Sequence, residues 1–155
     1  MSYNVLFVCT GNTCRSPMAE ALARHALAER GRDDVRVDSA GVAALTGAPA
    51  SAEVPVVLAE EGIELHDHRA KELTPERVAW ADLVLVMAPH HAAAVEAMGG
   101  GEKMALTTGF LKGTGAGEPV LDPIGRGLDV YRETRDQLAL AVDALLDQLE
   151  FPGDD

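Results

Sequence analysis

The sequence predicts an α/β fold, a three-layer sandwich in which helices cover both faces of a four-stranded parallel sheet. Three observations predict it. Val5-Leu6-Phe7-Val8 and Leu83-Val84-Leu85-Val86-Met87 are too continuously apolar for half-exposed strands and suit central parallel ones. Strand and helix patterns alternate along the chain, as a parallel sheet with crossover helices requires. A length of 155 residues, 47% hydrophobic and 25% charged, suits one core and one domain, 1–155. Right-handed crossovers give a strand order of 2-1-3-4, with the first strand central. In such sheets ligands collect at the carboxyl ends of strands, at the switch point.

Each element has a local reason. After the first strand, Ser16 is expected as N-cap and Pro17 as first helical residue, where its missing N–H costs nothing. An alanine-rich helix then runs to Gly31. Val35 to Gly41 alternates apolar and polar and reads as the second strand. Residues 43–50 read as loop, and a helix from about Ser51 to Glu61 needs Pro55 in its first turn. Thr74-Pro75 starts a short helix to about Trp80, a residue expected in the core or at its edge. Leu83–Met87 is the third strand, Pro89 to Met98 a helix, and Lys103 to Leu106 a weaker fourth strand. The loop 108–127 carries six glycines, a density that signals mobility. Leu128 to Leu149 is the last helix, with Tyr131, Leu138, Val142, Leu145 and Leu149 at helical spacing and a solvated acidic face. Residues 151–155 read as a frayed tail.

The chemistry concentrates where the first strand meets the first helix, in Cys9-Thr10-Gly11-Asn12-Thr13-Cys14-Arg15-Ser16-Pro17. Backbone N–H groups of such a loop, with the helix dipole behind them, make an anion site. Gly11 permits close approach of the backbone, and Asn12 tolerates a left-handed conformation. Arg15 presents two parallel donors to two phosphate oxygens. The helix terminus and Arg15 both favour a thiolate at Cys9, the form that attacks phosphorus. Ser16 is placed to donate to that sulfur and help it leave. This is a phosphate cradle with a nucleophile. It is not a nucleotide P-loop, because no GK[ST] follows. No metal or cofactor is expected, since Cys9 and Cys14 lack an adjacent ligand pair. A general acid is still required, and Asp122-Pro123 stands on the loop leaving the fourth strand.

A net charge of −12 and a pI near 4.7 argue against nucleic-acid and anionic-membrane partners. No charged-then-apolar leader precedes Val5, and no apolar run approaches the roughly 18 residues that span a bilayer. Two cysteines, Cys9 and Cys14, suit a reducing compartment, so a cytoplasmic location is expected. A monomer is the expected state, although nothing in the sequence fixes it. Cys14 either packs beneath the loop or forms a reversible disulfide with Cys9. His25, His66, His90 and His91 are expected to be solvated.

CTGNTCRSPMAEA at Cys9–Ala21, DSAG at Asp38–Gly41, HRA at His68–Ala70 and LDP at Leu121–Pro123 together resemble the low-molecular-weight protein tyrosine phosphatase family. The resemblance covers nearly the whole chain and implies that family's flavodoxin-like fold and a phosphoprotein substrate. It implies Cys9 as nucleophile, Arg15 as phosphate clamp and Asp122 as general acid. It also implies Asn12, Ser16, Ser39 and His68 as supports for the loop Thr10–Ser16.

Two departures point to the branch that dephosphorylates arginine. Thr13 stands where tyrosine phosphatases usually carry isoleucine, and the loop resembles that of bacterial protein-arginine phosphatases. Ile124-Gly125 follows Asp122-Pro123, where an aromatic residue usually stacks on the phenol. Asp122 would instead pair with the guanidinium before protonating the leaving nitrogen. Phosphotyrosine is the alternative substrate. An arsenate reductase would need a further downstream cysteine, and none follows Cys14. An anion-binding module would leave Cys9 and Asp122 without a task.

Overall fold

In the computed structural model, which describes residues 2–65 and 67–149, strands and helices alternate as expected. The expected tail at 151–155 and the expected exposure of His66 lie outside the described residues. Four parallel strands, β1 (Tyr3–Cys9), β2 (Val35–Gly41), β3 (Leu83–Val86) and β4 (Met104–Leu106), lie in the order β2-β1-β3-β4. Val5 of the central strand sits in register with Val37 on one side and Leu83 on the other.

The side-chain alternation of β1 divides the apolar interior in two. Val5, Phe7 and Cys9 join one core with α1 (Arg15–Glu29), α2 (Glu53–Ala59) and α5 (Leu128–Gln148). Leu6 and Val8 join the other with Val78 of α3 (Pro75–Trp80) and Val95 of α4 (Ala92–Ala97). Leu6, Phe7 and Val8 are completely buried, which explains the unbroken apolar run. The fold is the expected three-layer α/β sandwich.

Boundaries shift for local reasons. β1 begins two residues early, because Tyr3 and Asn4 pair with Val35 and Arg36. Thr74 caps α3 as expected, accepting the Arg77 N–H at 3.2 Å. The expected continuous helix from Pro89 to Met98 is instead a 3-10 turn, Pro89–His91, followed by the short α4. Loop 108–127 is more anchored than its glycines suggest. Val120 N–H reaches the Met87 carbonyl at 2.7 Å, and Gln137 brackets the segment by bonding Leu121 N–H and Pro119 O. Trp80, expected in the core or at its edge, is instead exposed (36%) and joins neither apolar cluster.

Candidate active site

β1 delivers Cys9 to the carboxyl edge of the sheet, and α1 starts at Arg15. Ser16 is not the N-cap: it lies inside the first turn, and the N-cap position falls two residues earlier, on Cys14, with no side-chain hydrogen bond capping the helix. That start leaves the leading N–H groups of α1 for an anion. It also releases the Ser16 hydroxyl, which lies 2.9 Å from Cys9 Sγ.

Asn12 determines which way the protons point. It is fully buried and holds φ at 57°, the left-handed region the sequence allowed it. Its Oδ1 accepts the Lys71 N–H at 2.9 Å, and a backbone N–H can only donate. Its Nδ2 therefore donates to both Ser16 Oγ (2.8 Å) and Ser39 Oγ (2.9 Å). Ser39 passes its own proton to Glu20 Oε1 at 2.6 Å. Ser16 Oγ accepts from Asn12 and keeps its own proton, which it can donate to a thiolate at Cys9, 2.9 Å away. His68 Nε2 meets the Asn12 carbonyl at 2.7 Å. The structure thus joins Cys9, Asn12, Ser16, Ser39 and His68 in one network.

Gly41 makes room for it. A Cβ there would stand 2.5 Å from the Thr10 carbonyl oxygen and 2.9 Å from Asn12 N. The DSAG stretch matters at its glycine as much as at Ser39.

Arg15 is 5% exposed, an uncommon burial for a guanidinium. Its Nη1 donates to Val120 O at 3.4 Å and its Nη2 to Thr10 Oγ1 at 3.3 Å. Asp122 Oδ2 lies 3.7 Å from Nη2, an ion pair without a direct hydrogen bond. The other carboxylate oxygen accepts the Ile124 N–H at 3.2 Å, so the Asp-Pro-Ile turn aims Asp122 at Arg15. Half of the Asp122 side chain remains exposed.

Thr13 and Gly11 are partly open at the loop's surface, and Ile124 is 57% exposed. Cys14 is buried, with Ser51 Oγ at 2.9 Å and the Tyr131 hydroxyl at 3.4 Å from its sulfur. Both cysteines are free thiols. Burial and the Cys14 contact push the Tyr131 hydroxyl well above its ordinary value.

His91 corrects the expectation of a solvated histidine. It is fully buried because the 3-10 turn folds it under the loop, where Nε2 lies 2.9 Å from Thr10 Oγ1. Burial, and then the neighbouring His90 and Arg15, lower its pKa to about 4. Glu20 is the other residue that sequence reasoning missed. The position of His91 just after β3, at the edge where ligands bind, was the one available signal.

Among the described residues no group of three or more His, Cys, Asp or Glu is arranged to hold a metal, and no helix is long and apolar enough to cross a membrane. A hollow of 760 Å³ lined by Arg24, Val35 and Trp80 includes none of the residues from Cys9 to Pro17. Chemistry, not volume, marks the site.

The low molecular weight phosphotyrosine protein phosphatase family matches residues 4–152. The chain belongs to this family. A protein-arginine-phosphatase of Geobacillus stearothermophilus is 41% identical over 155 residues, covering 97% of this chain and 98% of its own length. The crystal structure of a low molecular weight protein tyrosine phosphatase from T. tengcongensis superposes with a TM-score of 0.86 at 42% identity, covering 96% of this chain and 100% of that one. A cysteine-to-serine mutant of YwlE arginine phosphatase, its active-site serine phosphorylated, superposes with a TM-score of 0.84 at 39% identity and 97% coverage of both chains. Relatives named as arginine phosphatases and as tyrosine phosphatases are thus about equally similar to this chain.

Proposed function

We propose that this protein hydrolyses phosphoarginine in phosphorylated proteins, with Cys9 as nucleophile, Arg15 as phosphate clamp and Asp122 as general acid and base. The observation that carries the reading is the Cys9 sulfur 2.9 Å from a Ser16 hydroxyl whose oxygen already accepts from Asn12, beside a buried Arg15. In the first step the Cys9 thiolate forms a bond to phosphorus while the phosphorus–nitrogen bond breaks. Asp122 gives its proton to the departing guanidino nitrogen. Asp122, now a carboxylate, takes a proton from water, whose oxygen attacks phosphocysteine and releases phosphate and the thiolate. Arg15 and the loop N–H groups hold the phosphoryl oxygens throughout. Ser16 donates to the sulfur as it departs. The phosphorylated serine in the YwlE mutant supports a covalent intermediate at the position of Cys9.

Thr13 and Ile124 support phosphoarginine. Thr13 gives the loop a polar wall, and Ile124, exposed after Asp122-Pro123, offers no ring to stack on a phenol. Phosphotyrosine is the second reading, favoured by the similarity to the T. tengcongensis enzyme. A cytoplasmic, monomeric enzyme belongs to the same proposal; the cytoplasmic part is supported by the free Cys9 thiol that the chemistry requires reduced.

Side-by-side kinetics on phosphoarginine and phosphotyrosine peptides test the substrate. Thr13→Ile is expected to raise phosphotyrosine turnover relative to phosphoarginine, and an unchanged ratio removes Thr13 from substrate selection. Cys9→Ser is expected to abolish turnover. Wild-type activity in that variant would overturn the mechanism.

A further inference from the structure

Every hydrogen-bonding atom of His91 is assigned by its surroundings. The Ala88 N–H points at Nδ1 from 3.1 Å and can only donate, so Nδ1 carries no proton. Nε2 then carries the ring proton and donates it to Thr10 Oγ1 at 2.9 Å. The same oxygen accepts a second N–H, from Arg15 Nη2 at 3.3 Å. Three residues from β3's exit, the loop and α1 are therefore joined in a line, and the line ends on the guanidinium proposed to hold phosphate. Two other contacts limit Arg15, the Val120 carbonyl on Nη1 and the more distant Asp122 carboxylate on Nη2. Asp122 is half exposed and engages the substrate in the proposed reaction, so it is a poor permanent anchor for the same Nη2. Thr10 is the neutral partner that stays.

Resting on the proposed phosphatase chemistry, we propose that His91 is a positioning residue for that reaction: through Thr10 it fixes the plane in which Arg15 meets the phosphoryl oxygens. His91 itself touches no substrate. A neutral imidazole serves this role better than an amine or carboxylate, because it donates to Thr10 without adding a charge beside Arg15. The group held in place binds the phosphoryl part alone, so the effect is the same for phosphoarginine and phosphotyrosine.

Two near-isosteric variants separate this role from a merely structural one. His91→Gln keeps a donor where Nε2 stands and loses the acceptor for the Ala88 N–H. His91→Asn keeps that acceptor and loses the reach to Thr10. The expected result is that His91→Asn lowers kcat/KM about ten- to a hundredfold, the scale of losing support to a charged group. Inorganic phosphate inhibition should weaken in parallel, while His91→Gln recovers most of both. Thr10→Val should reproduce His91→Asn, with no further loss in the double variant and restoration in Thr10→Ser. The opposite pattern, with Gln impaired and Asn active, assigns His91 to holding the Ala88 turn and overturns the proposal. So does a loss confined to thermal stability with phosphate inhibition intact. Cys9→Ser and Arg15→Ala, assayed alongside, keep the two readings distinct. If they are inactive and the His91 variants are not, only the role of His91 fails; if they remain active, the phosphatase reading itself fails.

Discussion

At the scale of single residues, Asn12 decides more than its size suggests. One side-chain amide orients two serines and anchors Lys71, and it does so from a left-handed backbone. Asn12→Asp isolates the donor function. The carboxylate still accepts the Lys71 N–H and tolerates the positive φ, but it can no longer donate to Ser16. The Ser16 proton then turns toward the new carboxylate and away from Cys9. Asn12→Asp is expected to lose as much turnover as Asn12→Ala while unfolding at a higher urea concentration. Asn12→Ala loses the Lys71 acceptor and adds a left-handed alanine, together about 2–4 kcal/mol. Wild-type turnover in Asn12→Asp would show that the proton chain runs the other way.

His91 gives the same scale its pH signature. Its pKa falls from 6.5 unfolded to about 4 folded, through burial first and then His90 and Arg15. Between those values the unfolded chain binds the extra proton, so stability rises with pH there. The contribution is complete above about 6.5 and lost as pH falls to about 4. Urea midpoints at pH 7 and pH 5 are expected to differ in the wild type and to converge in His91→Gln. Glu60, held near 2 by Arg132 and then Arg135, acts in the same direction but only below its ordinary 4.5. Between pH 7 and pH 5 only the His91 window is crossed.

At the scale of elements, the β2 end meets the loop with no room for a side chain at Gly41. Gly41 closes β2 in register with Cys9, and its missing side chain lets the Thr10–Asn12 backbone pass. Gly41→Ala places a methyl against backbone atoms that have no rotamer to escape into. The expected cost is about 1–3 kcal/mol of stability. Because the loop itself must move, kcat/KM should fall by more than that stability loss explains, with phosphate inhibition weakened too. Thermal melts beside phosphate inhibition constants check both halves.

The elements also show what the sequence made legible. The loop from Cys9 to Ser16 could be read because its parts are contiguous, each residue type carrying its task at a fixed spacing. Cys9, Asn12 and Ser16 lie together in that loop, whereas Ser39 and His68 join the same hydrogen-bonded network from distant parts of the chain and were suggested by the family resemblance alone. His91 could not be read that way, since its partner Thr10 is 81 residues distant and nothing in PHH distinguishes a buried histidine from a solvated one. Glu20 was hidden among helix residues, its burial created only when β2 brings Ser39 against α1. Ser16 failed as a cap for a related reason: a hydroxyl suited to capping was taken by a sulfur from another element. Periodicity located the strands and helices, but the exact starts follow from pairing, as at Tyr3 and Asn4.

At the scale of the whole molecule, the site opposes its own surroundings. A chain of net charge −12 repels the dianionic group that Arg15 and the α1 terminus are proposed to bind. The repulsion is long-ranged and lies outside the site, so salt screens it, whereas the contacts to a buried guanidinium are short and little affected. Encounter, not chemistry, should therefore carry the salt dependence. For a phosphopeptide with acidic flanks, kcat/KM is expected to rise as sodium chloride increases from ~0.01 to ~0.15 M, the range over which the screening length falls from roughly 30 to 8 Å. For the same phosphorylated residue between lysines it should fall, since salt then screens an attraction. In both cases kcat should stay flat, because the bound state is already inside the screened region. A common slope for the two peptides would mean that salt acts on the loop itself. Opposite slopes with a constant kcat would mean that the acidic surface selects among phosphoproteins by the charge around the phosphorylated residue, leaving the loop to recognise the phosphoryl group alone.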